Sequence, residues 1–588
     1  MYVLGLSTLP DAAAALLADG VPVAAAEEER FTRIKHQDGL PERAVAYCLD
    51  EAGISIADVA HVGLFWKPWV LRKKAELTLR SLLQSRAMFG ARVQAGVTNV
   101  GDGYVGMLRY GARLRRRFGP SDFRFHYLDH HLCHAASAFF VSPFEQAAIL
   151  TMDGTGEDTT TLFARGEGTR IRELGRIKLP HSLGQFYSAV TNYLGFDMFA
   201  GDEWKVMGLA AYGVPEYYDF FARRVLRTRG EGGFEFDVRT LDHHLAKRYR
   251  FSADLIRALG PPRATDAEIS DRHQNVAASA QRVLEDVVLQ LLEHLHRQTR
   301  ATDLCLAGGV AFNSVMNGRI IRESPFERVF IQPAAGDAGC SLGAASLIHH
   351  QQLEQPRTFV MEHAYYGPSF DSERCAGALA SAGLRYETLA DEELLPRVAR
   401  LIADGAIVGW FQGRMEFGPR ALGNRSFLAD PRRAEMRELL NEKVKLREWF
   451  RPLAPSLLEE ASADIFGVPH RDPFMVTVLT VAEDKRAEIP AVVHVDQTAR
   501  PQTVSRDVNP RYWELIREFE RLTGVPVVLN TSFNVQEPIV CTPEEAVRTF
   551  EAADFDALVL ENHLALRHEQ ERPGAEALVG LSTSREEG

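Results

Sequence analysis

The sequence predicts an α/β protein of two domains, the first a duplicated ribonuclease-H-like sheet and the second a separate α/β fold. Three observations carry this. At 588 residues the chain exceeds the length over which one hydrophobic core keeps growing. An opening strand-turn-strand, YVLGLSTLPDAAAALLADGVPVAAAEEER, has a counterpart in AAILTMDGTGEDTTTLFARGEGTRIREL, as two copies of one half-domain would. A polar run at HHQQLEQPRTF then separates these copies from a region dense in Gly, Pro and Arg. The expected division is 1–350, a linker over 351–365, a second domain over 366–567 and a loosely ordered tail over 568–588.

Composition narrows the class. Hydrophobic residues make up 46% and charged residues 25% of the chain, as in an ordinary globular protein. A net charge of -12 argues against an electrostatic nucleic-acid footprint. Six cysteines without a CxxC pair suit a reduced cytoplasm, and no apolar run reaches spanning length, so no membrane partner is expected. Asp11 and Asp19 interrupt the apolar start, which makes a poor signal peptide.

Taken in order, the stretch from FWKPWVLRKKAEL to RLRRRFGP carries many Lys and Arg without a phosphate-loop pattern and reads as solvated helical faces. LDHHLCHAASAF reads as a helix, and the four-residue spacing of His130 and His134 places both imidazoles on one face. Asp153 in AILTMDGTGED and Asp337 in QPAAGDAGCSLGAA each follow an apolar run and sit beside glycines. Two imidazoles with two hard carboxylates suit Fe(II) or Mn(II) better than a structural zinc. His131 reads as a satisfied structural residue, and the HxxxH spacing lacks the glutamate of a metalloprotease. The DGTGE turn is a weak signal alone; with AGGVAFN and AAGDAG it makes a nucleotide-phosphate cradle. A long helix, QNVAASAQRVLEDVVLQLLEHLHRQ, precedes the strand that ends at Gly308 and Gly309. Two such lobes around a cleft are the architecture of actin-like ATPases and sugar kinases.

In the second domain GWFQGRMEFGPRALGNRSFLADPRR and NEKVKLREWFRPLAPS concentrate Arg414, Arg420, Arg425, Lys443, Lys445, Arg447 and Arg451 among glycines and prolines, which suggests oxyanion binding. Arg420, Lys445, Arg451 and Arg500 stand among turn-forming or aromatic residues and read as functional. Arg432 and Arg433 read as surface ion-pair partners. Asn530, Ser532 and Asn534 follow an apolar strand and offer donors to phosphate.

These motifs, together with EWKVMGLAAYG and HVDQTARPQTV, occur in an order that resembles the O-carbamoyltransferase family of the nodulation-factor, cephamycin and tobramycin type over nearly the whole chain. The first domain is similar to the metal-containing enzyme that makes threonylcarbamoyladenosine on tRNA, and the second to YrdC-type domains. The resemblance implies that Arg420, Lys445, Arg451, Arg500, Ser532 and Asn534 bind carbamoyl phosphate and ATP, with Mg accompanying ATP, and that carbamoyl adenylate forms there. It implies Fe(II), with Mn or Zn as alternatives, on His130, His134, Asp153 and Asp337. Gly154, Thr155, Gly308, Gly309 and Asn313 would line the nucleotide, and a small-molecule hydroxyl of a specialised metabolite would accept the carbamoyl group. Lys35 and His36 in ERFTRIKHQDG match a further family motif and, with Asp11 and Arg451, are the catalytic candidates.

The chain departs from the family at Pro10, which stands where the family carries a histidine before Asp11. Three routes follow: His36 substitutes, Asp11 or another acid serves as base, or transfer is lost or redirected. A non-catalytic or half-active nucleotide-binding scaffold is therefore one alternative. A tRNA threonylcarbamoylating enzyme is another, disfavoured by the acidic charge. A homodimer is left open.

Overall fold

The computed structural model describes residues 1–70, 75, 76, 79, 105–230, 232–237, 240–242 and 250–570. Much of the basic stretch expected to form solvated helices, and nearly all of the expected tail, lie outside the described residues.

The first sheet is built from β1 (Tyr2–Ser7), β2 (Ala13–Ala18), β3 (Val21–Glu27), β4 (Val59–Leu64) and β5 (Arg124–Tyr127), in the order β3-β2-β1-β4-β5. The first three form an antiparallel meander, and β4 and β5 continue parallel to β1. The second sheet repeats the plan with β6 (Gln146–Met152), β7 (Thr159–Glu167), β8 (Arg170–Lys178), β9 (Asp303–Ala307) and β10 (Arg328–Ile331). Here β6, β7 and β8 are the antiparallel meander and β9 and β10 run parallel to β6. Two sheets with one order and one set of strand senses make the duplicated ribonuclease-H-like fold of actin-like ATPases. The central strands are apolar at nearly every position because both faces are covered, whereas the edge strand β8 buries only Ile171 fully.

Seven helices of this domain matter here: α1 (Glu42–Glu51), α2 (His130–Phe139), α3 (Leu183–Tyr193), α4 (Glu203–Ala210), α5 (Asp271–Thr299), α6 (Ser314–Glu323) and α7 (Gly339–Ser346). α7, GCSLGAAS, is wholly buried between α2 and β1. Its small residues permit this: a Cβ on Gly343 would fall 1.9 Å from the Cys133 carbonyl oxygen, and one on Gly5 1.8 Å from that of Ser341.

The second domain is built on a mixed eight-stranded sheet, beside which Leu479–Thr480 and Thr498–Ala499 pair as a small antiparallel ribbon. The strands of the sheet are β11 (Glu387–Thr388), β12 (Val408–Phe411), β13 (Arg425–Ala429), β14 (Ala454–Leu458), β15 (Gln502–Val504), β16 (Val527–Ser532), β17 (Ala557–Leu560) and β18 (His563–Leu566), in the order β11-β18-β17-β12-β13-β16-β14-β15. The domain has its own core, from Cys375 to Leu566. Phe417, Leu422, Phe450, Ala454 and Phe474 nevertheless belong to the core of the first domain.

Polar contacts join the domains as well. Arg30 donates to the Gly418 carbonyl, while the Gly418 N–H donates to Glu27 at 2.8 Å. Arg414 donates to the carbonyls of Val23 and Tyr366 and to the Tyr47 hydroxyl. The connecting stretch, 351–365, bonds to both sides: Met361 N–H donates to Val141 and Phe417 N–H to Ala364. All six cysteines are unpaired and buried. Among the described residues no helix is long and apolar enough to cross a membrane.

Candidate active site

α2 begins at an N-cap, Asp129, whose side chain accepts from Leu132 N–H and pairs with Arg176 at 2.8 Å. Glu157 accepts from the N–H groups of Lys67 and His130, placing a second carboxylate at the positive end of the helix. This start fixes His130 and His134 one turn apart, both fully buried, with their Nε2 atoms 3.1 Å apart.

Asp153, directly after β6, brings Oδ2 to 3.4 Å from His130 Nε2, and its other oxygen accepts from Gly309 N–H at 2.9 Å. Asp337, in the turn before α7, reaches 3.7 Å from His130 Nε2 and 3.6 Å from His134 Nε2. One donor atom from each of the four residues lies within 4.8 Å of the others. Donors that share one ion at about 2.1 Å stand roughly 3.0–3.5 Å apart as neighbours and about 4.2 Å apart across it, so a small inward shift of Asp337 would close this set on one divalent cation. The electrostatics agree: burial disfavours charge on His130, yet Asp337 and Asp153 outweigh it and raise its pKa. Cys340 also lies near the two histidines, but burial holds its thiol far above the ordinary range, which disfavours a thiolate ligand. His131 is satisfied by Thr151 Oγ1 and the Thr159 carbonyl, the structural role expected of it.

The glycine turns beside the donors are tight. Gly308 has φ +90°, and a Cβ there would fall 2.2 Å from the Met152 carbonyl oxygen. Ser182 donates to the carbonyl of Gly154, and Thr155 to that of Gly156. Asn313 is differently engaged. Its side chain caps α6 through Met316 N–H and exchanges two hydrogen bonds with Gln281 of α5. It therefore shapes the wall of the cleft.

Asp11 and His36 form a group of their own. His36 Nδ1 lies 2.7 Å from Asp11 Oδ1 and Nε2 lies 3.0 Å from the Ala200 carbonyl, so both ring nitrogens face acceptors. The ring must donate from both, and the bond to Asp11 raises its pKa to about 9. Asp11 and His36 have φ of +69° and +52°, and Glu29 accepts from His36 N–H. The Lys35 ammonium is depressed by burial, which Glu29 opposes and the charge of Arg451 reinforces, so it lies within electrostatic reach of both domains.

In the basic cluster of the second domain Lys445 donates to the Ser532 carbonyl (2.6 Å), the Ser532 hydroxyl (3.1 Å) and Asn534 Oδ1 (2.6 Å), uniting three expected residues. Burial pushes Lys445 far below its ordinary range, and Arg447 adds to the shift. Arg447 is depressed by burial and then by Arg451, and Arg420 by burial and then by Arg500. Guanidiniums stay charged in proteins, so these shifts express the cost of burying charge and, after it, mutual repulsion, both of which a bound anion would offset. Counter-charge comes from Glu448 beside Arg447 and Arg451, from Glu537 beside Lys445, and from Asp472, which faces Arg420 and Arg500 but already accepts from the N–H groups of Phe474, Val476 and Thr477. The Nε atoms of Arg420 and Arg500 have no hydrogen-bond partner.

Other members of the basic group are structural. Arg425 is fully buried, lies 3.6 Å over Phe411 and donates to the carbonyls of Gln412, Gly413, Asn424 and Pro368. Arg414 serves the domain interface, Lys443 is exposed, and Arg432 and Arg433 both pair with Asp430.

Between the domains lies a cavity of about 310 Å³. Met207 and Gly208 of α4, Gln281 and Glu285 of α5, and Asp496 and Arg500 of the second domain are on its walls. Arg500 is the member of the basic cluster that reaches this cavity, across from Gln281 and Glu285 of the first domain.

Residues 2–346 match the model of the carbamoyltransferase N-terminus and residues 399–567 that of the carbamoyltransferase C-terminus. The chain belongs to the carbamoyltransferase family. It is 41% identical to an uncharacterized Synechocystis protein, sll1178, with 97% of each chain covered. It is 40% identical to the nodulation protein NolNO of Sinorhizobium fredii, over 94% of this chain and 78% of that protein. A Methanocaldococcus jannaschii protein, MJ1051, is 30% identical over 96% and 99% of the two chains. As a carbamoyltransferase the chain is an enzyme.

Reading the sequence missed three residues that build this site. Trp204 and Lys205 of α4 and Glu448 of the REWFRP loop meet across the domain boundary. The available signal was the EWKVMGLAAYG motif, which carries an aromatic and a lysine at a helix start but does not reveal what they touch.

Proposed function

We propose that this carbamoyltransferase makes carbamoyl adenylate from carbamoyl phosphate and ATP in its second domain and transfers the carbamoyl group in its first to a hydroxyl of a small-molecule specialised metabolite. The observation that carries this reading is the cluster of five cations Arg420, Lys445, Arg447, Arg451 and Arg500, whose charge burial disfavours, an arrangement suited to several phosphate groups at once.

In the second domain these cations bind the phosphates and draw charge from the phosphorus that reacts. Carbamoyl phosphate loses phosphate to water, the carbamate oxygen bonds to the α-phosphorus of ATP, and the bond to pyrophosphate breaks. Lys445 is held in place by Ser532 and Asn534, and bound phosphate would favour its charged form against the burial that opposes it.

In the first domain Gly154, Thr155, Gly308 and Gly309 allow the nucleotide to approach the backbone, and Gln281 and Asn313 brace the wall. His130, His134, Asp153 and Asp337 would hold Fe(II), which supplies Lewis acidity and a fixed point for the adenylate when bound. The acceptor oxygen attacks the carbamoyl carbon, the bond to the AMP oxygen breaks, and the hydroxyl proton leaves to a base. His36, donating from both nitrogens, has no lone pair to receive it; Asp11 is the proton acceptor of the pair and His36 the cation that orients it.

The test is pyrophosphate release from ATP and carbamoyl phosphate by wild type and Arg451→Ala. Release that the substitution abolishes supports the adenylating step. No release from folded wild type with Fe(II) would refute it.

A further inference from the structure

We infer that Trp204 and Lys205, on the first-domain helix α4, are positioning residues for Arg451 of the second-domain anion site, with Glu448 as the switchable contact between them. The inference deepens the adenylating role proposed above.

The geometry is a short bridge. Lys205 Nζ lies 2.8 Å from Asp202 Oδ2 and 2.8 Å from Glu448 Oε1. The other oxygen of Glu448 lies 2.6 Å from Arg451 Nε. The guanidinium of Arg451 lies 3.7 Å over the ring of Trp204. Lys205, Asp202 and Arg451 expose 13%, 13% and 16% of their side chains and Glu448 30%, so water screens the bridge only in part.

An arginine that serves a phosphate must not be neutralised by its own ion pair. Glu448 could do that to Arg451, but Lys205 shares its charge. Removing Lys205 would leave the full carboxylate charge on Arg451, in competition with the phosphate. Trp204 lies against the face of the guanidinium and so restricts its plane before the ligand arrives. The first domain therefore completes the anion site of the second.

This separates Lys205 from a lysine that only holds the fold. If Lys205 acts through Glu448, removing the carboxylate repairs the loss of the lysine. A purely structural lysine would not be repaired by breaking a second contact.

The test is equilibrium binding of inorganic pyrophosphate to the full chain by calorimetry, with the KM for carbamoyl phosphate as a second readout. Lys205→Met is expected to weaken pyrophosphate about tenfold and raise KM with little change in kcat, and Lys205→Met with Glu448→Gln to return within about twofold of wild type. Trp204→Leu should weaken binding and Trp204→Phe largely preserve it. Glu448→Gln alone should bind at least as tightly as wild type, which keeps the inference testable if Lys205→Met does not fold. Unchanged binding in Lys205→Met, a double variant as weak as the single, weakened binding in Glu448→Gln, or no pyrophosphate binding by wild type would each overturn it. Turnover is not needed for this pattern. If the binding pattern holds while wild type releases no pyrophosphate from ATP and carbamoyl phosphate, the adenylation reading fails and the positioning inference stands.

Discussion

Among single residues, Arg425 and Arg451 show how one residue type in one motif region takes opposite roles. Arg425 gives its two Nη groups to four carbonyls and stacks on Phe411, so its guanidinium is committed to the backbone of its own domain. Arg425→Lys cannot reproduce that planar fork and should lower the unfolding free energy in urea by about 2–4 kcal/mol. Arg451→Ala should leave the urea midpoint nearly unchanged while abolishing pyrophosphate release. Both arginines were legible in the sequence as members of a basic cluster; which carbonyls would close around Arg425 was not, because Pro368 lies 57 residues away in the chain. The Asp11–His36 pair also carries a pH signature. Its folded pKa is raised, so its contribution to stability is complete below about pH 6.5 and is lost as pH rises through about 9. A melting-temperature profile should lose this alkaline decline in His36→Gln.

At the level of elements, the metal donors depend on how closely α2 and α7 approach. His130 and His134 ride on α2, while Asp337 is fixed by the turn into α7. Gly343 sets the spacing, since a Cβ there meets backbone that cannot rotate away. Gly343→Ala should push the helices apart and reduce the metal bound after reconstitution with Fe(II), read by elemental analysis. Asp337→Asn should reduce it without the accompanying loss of stability. The two histidines on one helical face were legible from their spacing alone, because a helix repeats every 3.6 residues. The strand-turn-strand duplication was legible for a similar reason, since apolar strands and glycine turns recur in both copies. The parallel partners β4, β5, β9 and β10 were less so: their pairing is set by long connections that leave no local pattern.

For the whole molecule, the two domains share apolar and polar contacts that make them one unit. Phe417 and Phe450 sit in the first core, and Arg414 is bound by Val23, Tyr47 and Tyr366. Calorimetry should record one principal unfolding transition, and Arg414→Ala should broaden or split it by loosening the joint. The burial of all six thiols, four before residue 350 and two after it, gives the same molecule a chemical clock. A thiol-specific dye should find nothing to label in the native protein. On dilution into denaturant, the order in which the group of four and the group of two become reactive would report which half of the chain opens first, with no engineered probe and no change to the sequence.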